Sequence, residues 1–534
     1  MEPEKEHGNI EYKLKLVNKT EERINELITQ MRYRCNEGGG ECIYNIGVED
    51  NGTMTGITEK EYIETINNLK SMAIKNNYSV NLLSEVKINE DKKIYEIMIR
   101  EKNENKYIDI KVAIAGNVDA AKSTFVGTLI SGENDNGRGS ARSSVFNYIH
   151  EIKSGRTSSV AHQILGYDYE GKIVNYQSLN KLSWSEIVQK SSKIISFFDL
   201  AGHEKYLKTT ITGLTSSFPD ICVIMIAANN GISSMTKEHI FLCVTLKIPF
   251  IIVVSKIDLC KDRENVLKET ISNIHKFLKY PGIRRIPLNV KNNEDVIMSS
   301  KHLYNESITP IFYISNVTGE GLDNIKLFFN IVNKKNIEKI INDKVEFHID
   351  NTFLVYGFGL VVGGHLLSGN VKVGDKLLLG PINSDYEQVV IKSIYCKKTP
   401  LLEVSHGSYV CFGIKKIERN KIKKGAVIIS SSTDKLLIKK FTAKVDILRT
   451  HTTTVKIGYE PSFHAYSIRQ TAKIIDIKNK KNIRNTFIDD NILRNGDSAI
   501  VTFEFKYRPE YLKIGTRFIL CEGKCKIVGE VVSN

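Results

Sequence analysis

Gly116-Asn117-Val118-Asp119-Ala120-Ala121-Lys122-Ser123 has the spacing of a phosphate-binding loop, G-x-x-x-x-G-K-[ST], with alanine at the second glycine. The apolar run 111–115 before it reads as a buried strand, and a helix opens at Lys122. In that setting the backbone N–H groups of Gly116, Asn117, Val118, Asp119, Ala120 and Ala121, continued by Lys122, Ser123 and Thr124 at the positive helix end, face the phosphates of a nucleotide. Lys122 is placed to reach the β- and γ-phosphates, and Ser123 to offer a hydroxyl to Mg²⁺. Ala121 is the fault in the motif. Glycine there lets the backbone approach the phosphates with no Cβ in the way. The methyl group is expected to strain the loop or push the β-phosphate, on a scale of about 1–3 kcal/mol. That corresponds to roughly 5- to 150-fold in nucleotide affinity.

Three further motifs follow, each after an apolar run. Asp199-Leu200-Ala201-Gly202-His203 comes after 194–198. Asp199 is placed to hold Mg²⁺ through water, the Gly202 N–H to sense a γ-phosphate, and His203 to orient an attacking water. Ser255-Lys256-Ile257-Asp258 comes after 250–254. A carboxylate at Asp258 accepts two hydrogen bonds from guanine N1 and N2, an arrangement adenine cannot match, so an ATPase is disfavoured. The Lys256 stem packs on the base. Ser255 stands where Asn or Thr commonly opens this motif, and its hydroxyl can still tie the base pocket to the phosphate loop. Ser315-Asn316-Val317 follows 311–314 and closes the base pocket through backbone N–H groups. Motifs at the C-terminal ends of successive strands indicate an open α/β sheet with its ligand at that end. The runs 111–115, 194–198, 221–227, 250–254 and 311–314 suit a mainly parallel sheet covered on both faces.

On either side of this α/β region the patterning changes. Residues 1–106 read as a small α+β domain, with strands at 10–17, 41–48, 53–57, 80–88 and 93–100 and helices at 20–34 and 58–75. Glu37-Gly38-Gly39-Gly40-Glu41 is not followed by Lys-Ser or Lys-Thr, so it reads as a loop and not as a second phosphate site. The phosphate-loop domain is assigned to 107–335. Strands separated by glycine turns then fill 344–430 and 438–534, which read as two β-barrels.

With 534 residues, 41% of them apolar and 25% charged, the chain has ample material for several packed cores. The net charge is +14, and residues 439–534 alone carry roughly +8, which is either a solvated lysine-rich face or the footprint of an anionic partner such as RNA. The nine cysteines include no C-x-x-C pair. Cys35 with Cys42, and Cys521 with Cys525, read as free thiols of a reducing cytoplasm and not as metal ligands. No run of 18 apolar residues occurs and the N-terminus is polar, so neither a membrane span nor a signal peptide is expected.

These residues resemble the translational GTPases related to elongation factor Tu, and most closely the GTP-binding-protein-1 and -2 branch. The likeness is carried by Gly116-Asn117-Val118-Asp119, by Asn136-Gly-Arg-Gly-Ser-Ala-Arg142, by Ser154-Gly-Arg-Thr-Ser-Ser-Val160, and by Asp199-Leu-Ala-Gly-His-Glu-Lys-Tyr-Leu-Lys-Thr-Thr210. It continues through Met235-Thr-Lys-Glu-His239, Ser315-Asn-Val-Thr-Gly-Glu320, Ser467-Ile-Arg-Gln-Thr-Ala472 and Pro509-Glu-Tyr-Leu512. The resemblance implies a GTPase acting as a monomer, with tRNA and the ribosome or in mRNA surveillance, and two barrels that grip aminoacyl-tRNA and the ribosome in relatives. It implies GTP, GDP and Mg²⁺ as ligands, with Lys122, Thr157, Gly202 and His203 as the catalytic set. Thr157 resembles the threonine that closes on Mg²⁺, beside Ser123 and Asp199. Asp119 resembles the aspartate that holds a monovalent cation next to the phosphates, and Val118 one wing of an apolar gate by the catalytic water. Arg156 stands where the other wing would be, either solvated or supplying charge to the transition state. Against an active enzyme stands the reading of a GTPase-shaped RNA- or ribosome-binding module that cycles poorly because of Ala121.

Overall fold

A computed structural model describes the chain except residues 1–2, 18–19, 103–106, 147–150, 152–156, 158–159, 179–180, 335–343, 357–358, 416, 448–453, 482–491, 523 and 534. The N-terminal part is a four-stranded sheet of β1 (Ile10–Lys13), β2 (Glu41–Ile46), β3 (Tyr78–Lys87) and β4 (Lys93–Glu101), ordered β1-β2-β4-β3. Its two helices, Glu21–Glu37 and Glu59–Lys75, start where side chains satisfy their free N–H groups. Thr20 caps the first, and Thr58 with Glu61 forms a capping box on the second. Leu27, Met31, Leu69 and Met72 lie on the buried helix faces and pack with Tyr44, Ile97 and Ile99 of the sheet. Two expectations are corrected here. The first strand stops at Lys13, because the chain then turns to bury Leu16, whose N–H donates to Thr65 Oγ1 at 3.1 Å. Residues 53–57 make only the isolated bridges Val48–Met54 and Ile57–Lys93, since a tight turn at Asn51-Gly52 consumes the backbone groups of 49–53.

The central part is a seven-stranded sheet of β5 (Ile108–Gly116), β6 (Ala161–Tyr167), β7 (Lys193–Asp199), β8 (Ile221–Ala227), β9 (Phe250–Ser255), β10 (Ile286–Asn289) and β11 (Ile308–Tyr313). The order is β10-β11-β9-β8-β5-β7-β6, with only β6 antiparallel to its neighbour. Side chains alternate between two cores, Val112, Ile114 and Val223 to one face and Ala113, Ala115 and Ile224 to the other, which is why these strands read as continuous apolar runs. The strands β6 and β10 escape that reading because both sit at sheet edges and carry polar or exposed residues.

Two β-barrels follow. In the first, Glu346–Val355, Gly359–Ser368, Lys376–Ile382, Asp385–Cys396, Tyr409–Lys415 and Val427–Ile429 close through the pairing of the third strand with the fourth. The second is a closed six-stranded barrel including Lys440–Ile447, Ser462–Ala465 and Ile468–Lys481. All four bodies pack on the central sheet or on each other. Asp109 pairs with Lys397 of the first barrel at 2.6 Å, and the helix Leu207–Ser216 lies against Ser462–Ala465 of the second. Phe218 sits among the rings of His348, His365 and Tyr466 where the three meet.

Candidate functional site

The strands β5, β7, β9 and β11 end on the same edge of the sheet, because parallel strands joined by covering helices must all deliver their C-termini there. A cavity of about 300 Å³ opens at that edge. Its walls bring together Val118, Asp119, Ala121, Lys122, Ser123, Thr124, Thr157, Gly202, His203, Lys256, Asp258, Asn316 and Val317. The remaining sequence candidates stand behind it and brace it. Gly116 takes φ of 147°, and a Cβ there would lie 2.5 Å from Met225 O. Asn117 O accepts a hydrogen bond from Lys122 Nζ at 2.8 Å. Ser255 Oγ donates to Ala120 O at 3.0 Å, which ties the end of β9 to the phosphate loop. Ser315 Oγ accepts from the N–H groups of Val317 and Thr318 at 3.2 and 3.1 Å and shapes the turn after β11.

At the phosphate end three oxygens converge. Ser123 Oγ donates to Asp199 Oδ2 at 2.5 Å, and Thr157 Oγ1 lies 2.8 Å from Ser123 Oγ and 3.3 Å from the same carboxylate oxygen. Asp199 is fully buried and its Oδ1 has no partner among the described residues. Burial pushes the Asp199 carboxyl up, against the pull of Lys122 and of the two hydroxyls, and pulls the Lys122 ammonium down, against Asp199 and Asp119. Two hydroxyls and a carboxylate with one oxygen to spare form a hard-oxygen donor set of the kind Mg²⁺ takes. Gly202 is pressed onto the loop: a Cβ there would overlap Lys122 Nζ and come within 2.6 Å of Gly116 O. His203 Nδ1 accepts from Lys205 N at 3.0 Å, which leaves the ring proton on Nε2.

Ala121 takes φ 61° and ψ 30°, the left-handed region that favours glycine. Its cost is therefore one of the loop's own backbone, where Ala121 O accepts from Phe125 N and the neighbouring Ala120 O from Ser255. At the base end Asp258 is half-buried and Lys256 holds a left-handed φ of 60° that starts the short turn carrying it. Asn316 O accepts from the N–H of Asp135 at 2.8 Å. Arg156, Ser154, Gly155, Ser158 and Ser159 lie outside the described residues, as do Gly357 and Phe358 of the first barrel. The sequence reading assigned no role to Asp135, Arg138 and Arg142, which also line the cavity. The only signal was the pair of arginines set among glycines in 136–142. Among the described residues no cluster of three or more His, Cys, Asp or Glu forms a metal site elsewhere, and no helix is long and apolar enough to cross a membrane.

The elongation factor Tu GTP-binding domain matches residues 109–368, and elongation factor Tu domain 2 matches 359–429. GTP-binding protein 2 of Homo sapiens is 39% identical over 540 residues, covering 99% of this chain and 87% of that protein. GTP-binding protein 1 of Xenopus laevis is 42% identical over 523 residues, covering 97% and 78%. Among solved structures, translation elongation factor SelB from Methanococcus maripaludis in complex with the GTP analogue GppNHp superposes with a TM-score of 0.56 at 19% identity, over 80% of this chain and 79% of that one. At that identity the likeness is one of fold. The family match carries the GTPase reading, and nothing in it favours the inert module over an enzyme.

Proposed function

This chain belongs to the translation-factor GTPase family, on the branch of GTP-binding proteins 1 and 2, and on that premise we propose that it turns over GTP in the cavity just described. The family is one of GTP-binding GTPases. The observation that carries the reading for this chain is the convergence of Ser123, Thr157 and Asp199 beside Lys122. Ser123 and Thr157 would hold Mg²⁺ directly and Asp199 behind them, where the ion neutralises charge on the phosphates. Lys122 leaves Asn117 O for the β- and γ-phosphates. Gly202, with no Cβ to keep the strand end away, brings its N–H to the γ-phosphate. His203 donates from Nε2 to the attacking water and holds it in line. Asp258 takes guanine N1–H and N2–H, Lys256 covers the base, and Asn316 and Val317 close its edge. Asp119, exposed beside the loop, is the place for a monovalent cation.

The wider role we assign is a cytoplasmic one, as a monomer working on tRNA and the ribosome. The basic last barrel supports it, because clustered lysine and arginine give affinity for RNA phosphates that is independent of base sequence. Purified protein should bind fluorescent GDP and GTP saturably and hydrolyse GTP faster when ribosomes are added. His203→Ala should lower kcat by about 100-fold and leave GDP affinity unchanged. Turnover indifferent to ribosomes and tRNA would remove the translational role, and an unchanged kcat in the variant would remove His203 from the water.

A further inference from the structure

The loop Asp135-Asn136-Gly137-Arg138-Gly139-Ser140-Ala141-Arg142 has no part in the roles above, yet it walls the nucleotide cavity. Its shape is heavily constrained. Asp135, 6% exposed, accepts from the N–H groups of Gly137, Gly139 and Ala141 at 2.9, 3.1 and 3.0 Å and from Ser140 Oγ at 3.3 Å. Asn136 Oδ1 accepts from Arg138 N at 2.9 Å, and Gly137 and Gly139 take φ of 79° and 88°. One end is tied to the base motif by the Asp135 N–H on Asn316 O. The other is pressed onto the helix Lys122–Ser131 at Gly127, where a Cβ would overlap Ala141 O. A Cβ at Gly139 would overlap the Arg142 guanidinium, so the glycine makes room for that side chain on the cavity wall.

A loop braced to both the base motif and the phosphate-loop helix carries two guanidinium groups at the cavity. The Asp135 carboxylate accepts from four donors of its own loop, three of them backbone N–H groups. Guanidinium groups offer paired donors that match phosphate oxygens. We infer that Arg138 and Arg142 form a second nucleotide-binding element that clamps the α- and β-phosphates of GDP and GTP alike. The anchors are Asn316 and Gly127, not Thr157, Gly202 or His203, so the clamp grips what the two nucleotides share. It adds affinity at a site whose phosphate loop carries a strained alanine. The inference rests on the nucleotide reading of this cavity, and a parent protein that bound no GDP would remove that reading first.

The test is calorimetric titration of the full chain and of Arg138→Gln, Arg142→Gln and the double variant with GDP and a non-hydrolysable GTP analogue, with guanosine as a competitor. The double variant should bind GDP and the analogue each at least tenfold more weakly and leave guanosine binding and the melting temperature unchanged. Arg138→Lys should fall between parent and Arg138→Gln. Equal GDP affinity in parent and double variant overturns the clamp. A matching loss for guanosine overturns it in favour of a purely structural loop, and a loss confined to the GTP analogue overturns it in favour of a γ-phosphate role.

Discussion

Strand β7 begins at one buried charged cluster and ends at another, and the two are built on opposite terms. At its start Lys193 is fully buried and donates to Glu41 Oε1 at 2.6 Å, Asn330 O at 2.8 Å and Val332 O at 2.5 Å. The second Glu41 oxygen takes Arg100 at 2.8 Å, and Arg100 goes on to Asp168 O and Asn330. Both carboxylate oxygens and the lysine's three donors are used, and the result is a joint between the N-terminal sheet and the central one. At the other end Asp199 shares one oxygen between two hydroxyls and, among the described residues, holds the other unpartnered and makes no ion pair, because Lys122 turns to a backbone carbonyl. A buried charge whose partners are complete holds structure together; one left short of partners is poised for a ligand.

Isosteric neutralisation of the two carboxylates should therefore move stability in opposite directions. Glu41→Gln leaves Lys193 and Arg100 buried without their anion and should cost about 3–5 kcal/mol in denaturant unfolding. Asp199→Asn relieves a buried carboxylate whose Oδ1 lacks a partner among the described residues and should stabilise the protein by about 1–3 kcal/mol when Mg²⁺ and nucleotide are absent. The same variant should lose the dependence of GTP affinity on Mg²⁺ that a chelator reveals in the parent. Destabilisation by both substitutions to the same extent would erase the contrast.

The start of β7 should also show in the pH dependence of stability. Burial, reinforced by Arg100, pulls the Lys193 ammonium from 10.5 down to about 8 against the attraction of Glu41. Between those values the unfolded chain holds a proton that the folded chain has released, so stability should rise with pH from about 8 toward 10.5. Lys193→Met should flatten that rise. The smallest effect is expected at Ala121. Because the cost lies in the left-handed backbone of the loop itself, Ala121→Gly should raise stability by about 1 kcal/mol. GDP affinity should change by less than about fivefold. A tenfold gain in GDP affinity would show instead that the methyl group crowds the phosphates.

How much could be read beforehand follows the distance over which each feature is encoded. The phosphate loop, its strand and its helix are contiguous, so spacing and periodicity expose them, and four ordered motifs with a family resemblance led to the α/β GTPase fold with an N-terminal α+β part and two barrels. The edge strands β6 and β10 were missed because partial exposure breaks the apolar run that marks a buried strand. The joint at Lys193 was not legible at all. Arg100 and Asn330 lie 230 residues apart, and nothing local to either predicts the other. The loop at 136–142 was noticed only as matching text, since its bearing on the cavity depends on where Asp135 and Gly127 hold it.

Chemistry carried by neighbouring residues was thus present in the linear chain: a phosphate cradle, a guanine-reading carboxylate, and the order in which strands deliver them. Packing across long separations settled the rest. It seats Thr157 against Ser123 and Asp199, gives Ala121 its left-handed backbone, and leaves Asp199 Oδ1 without a partner among the described residues while every donor on Lys193 is spent. The reason is physical. Whether a buried polar group is satisfied depends on every chain segment that reaches it, and no stretch of sequence encodes that alone.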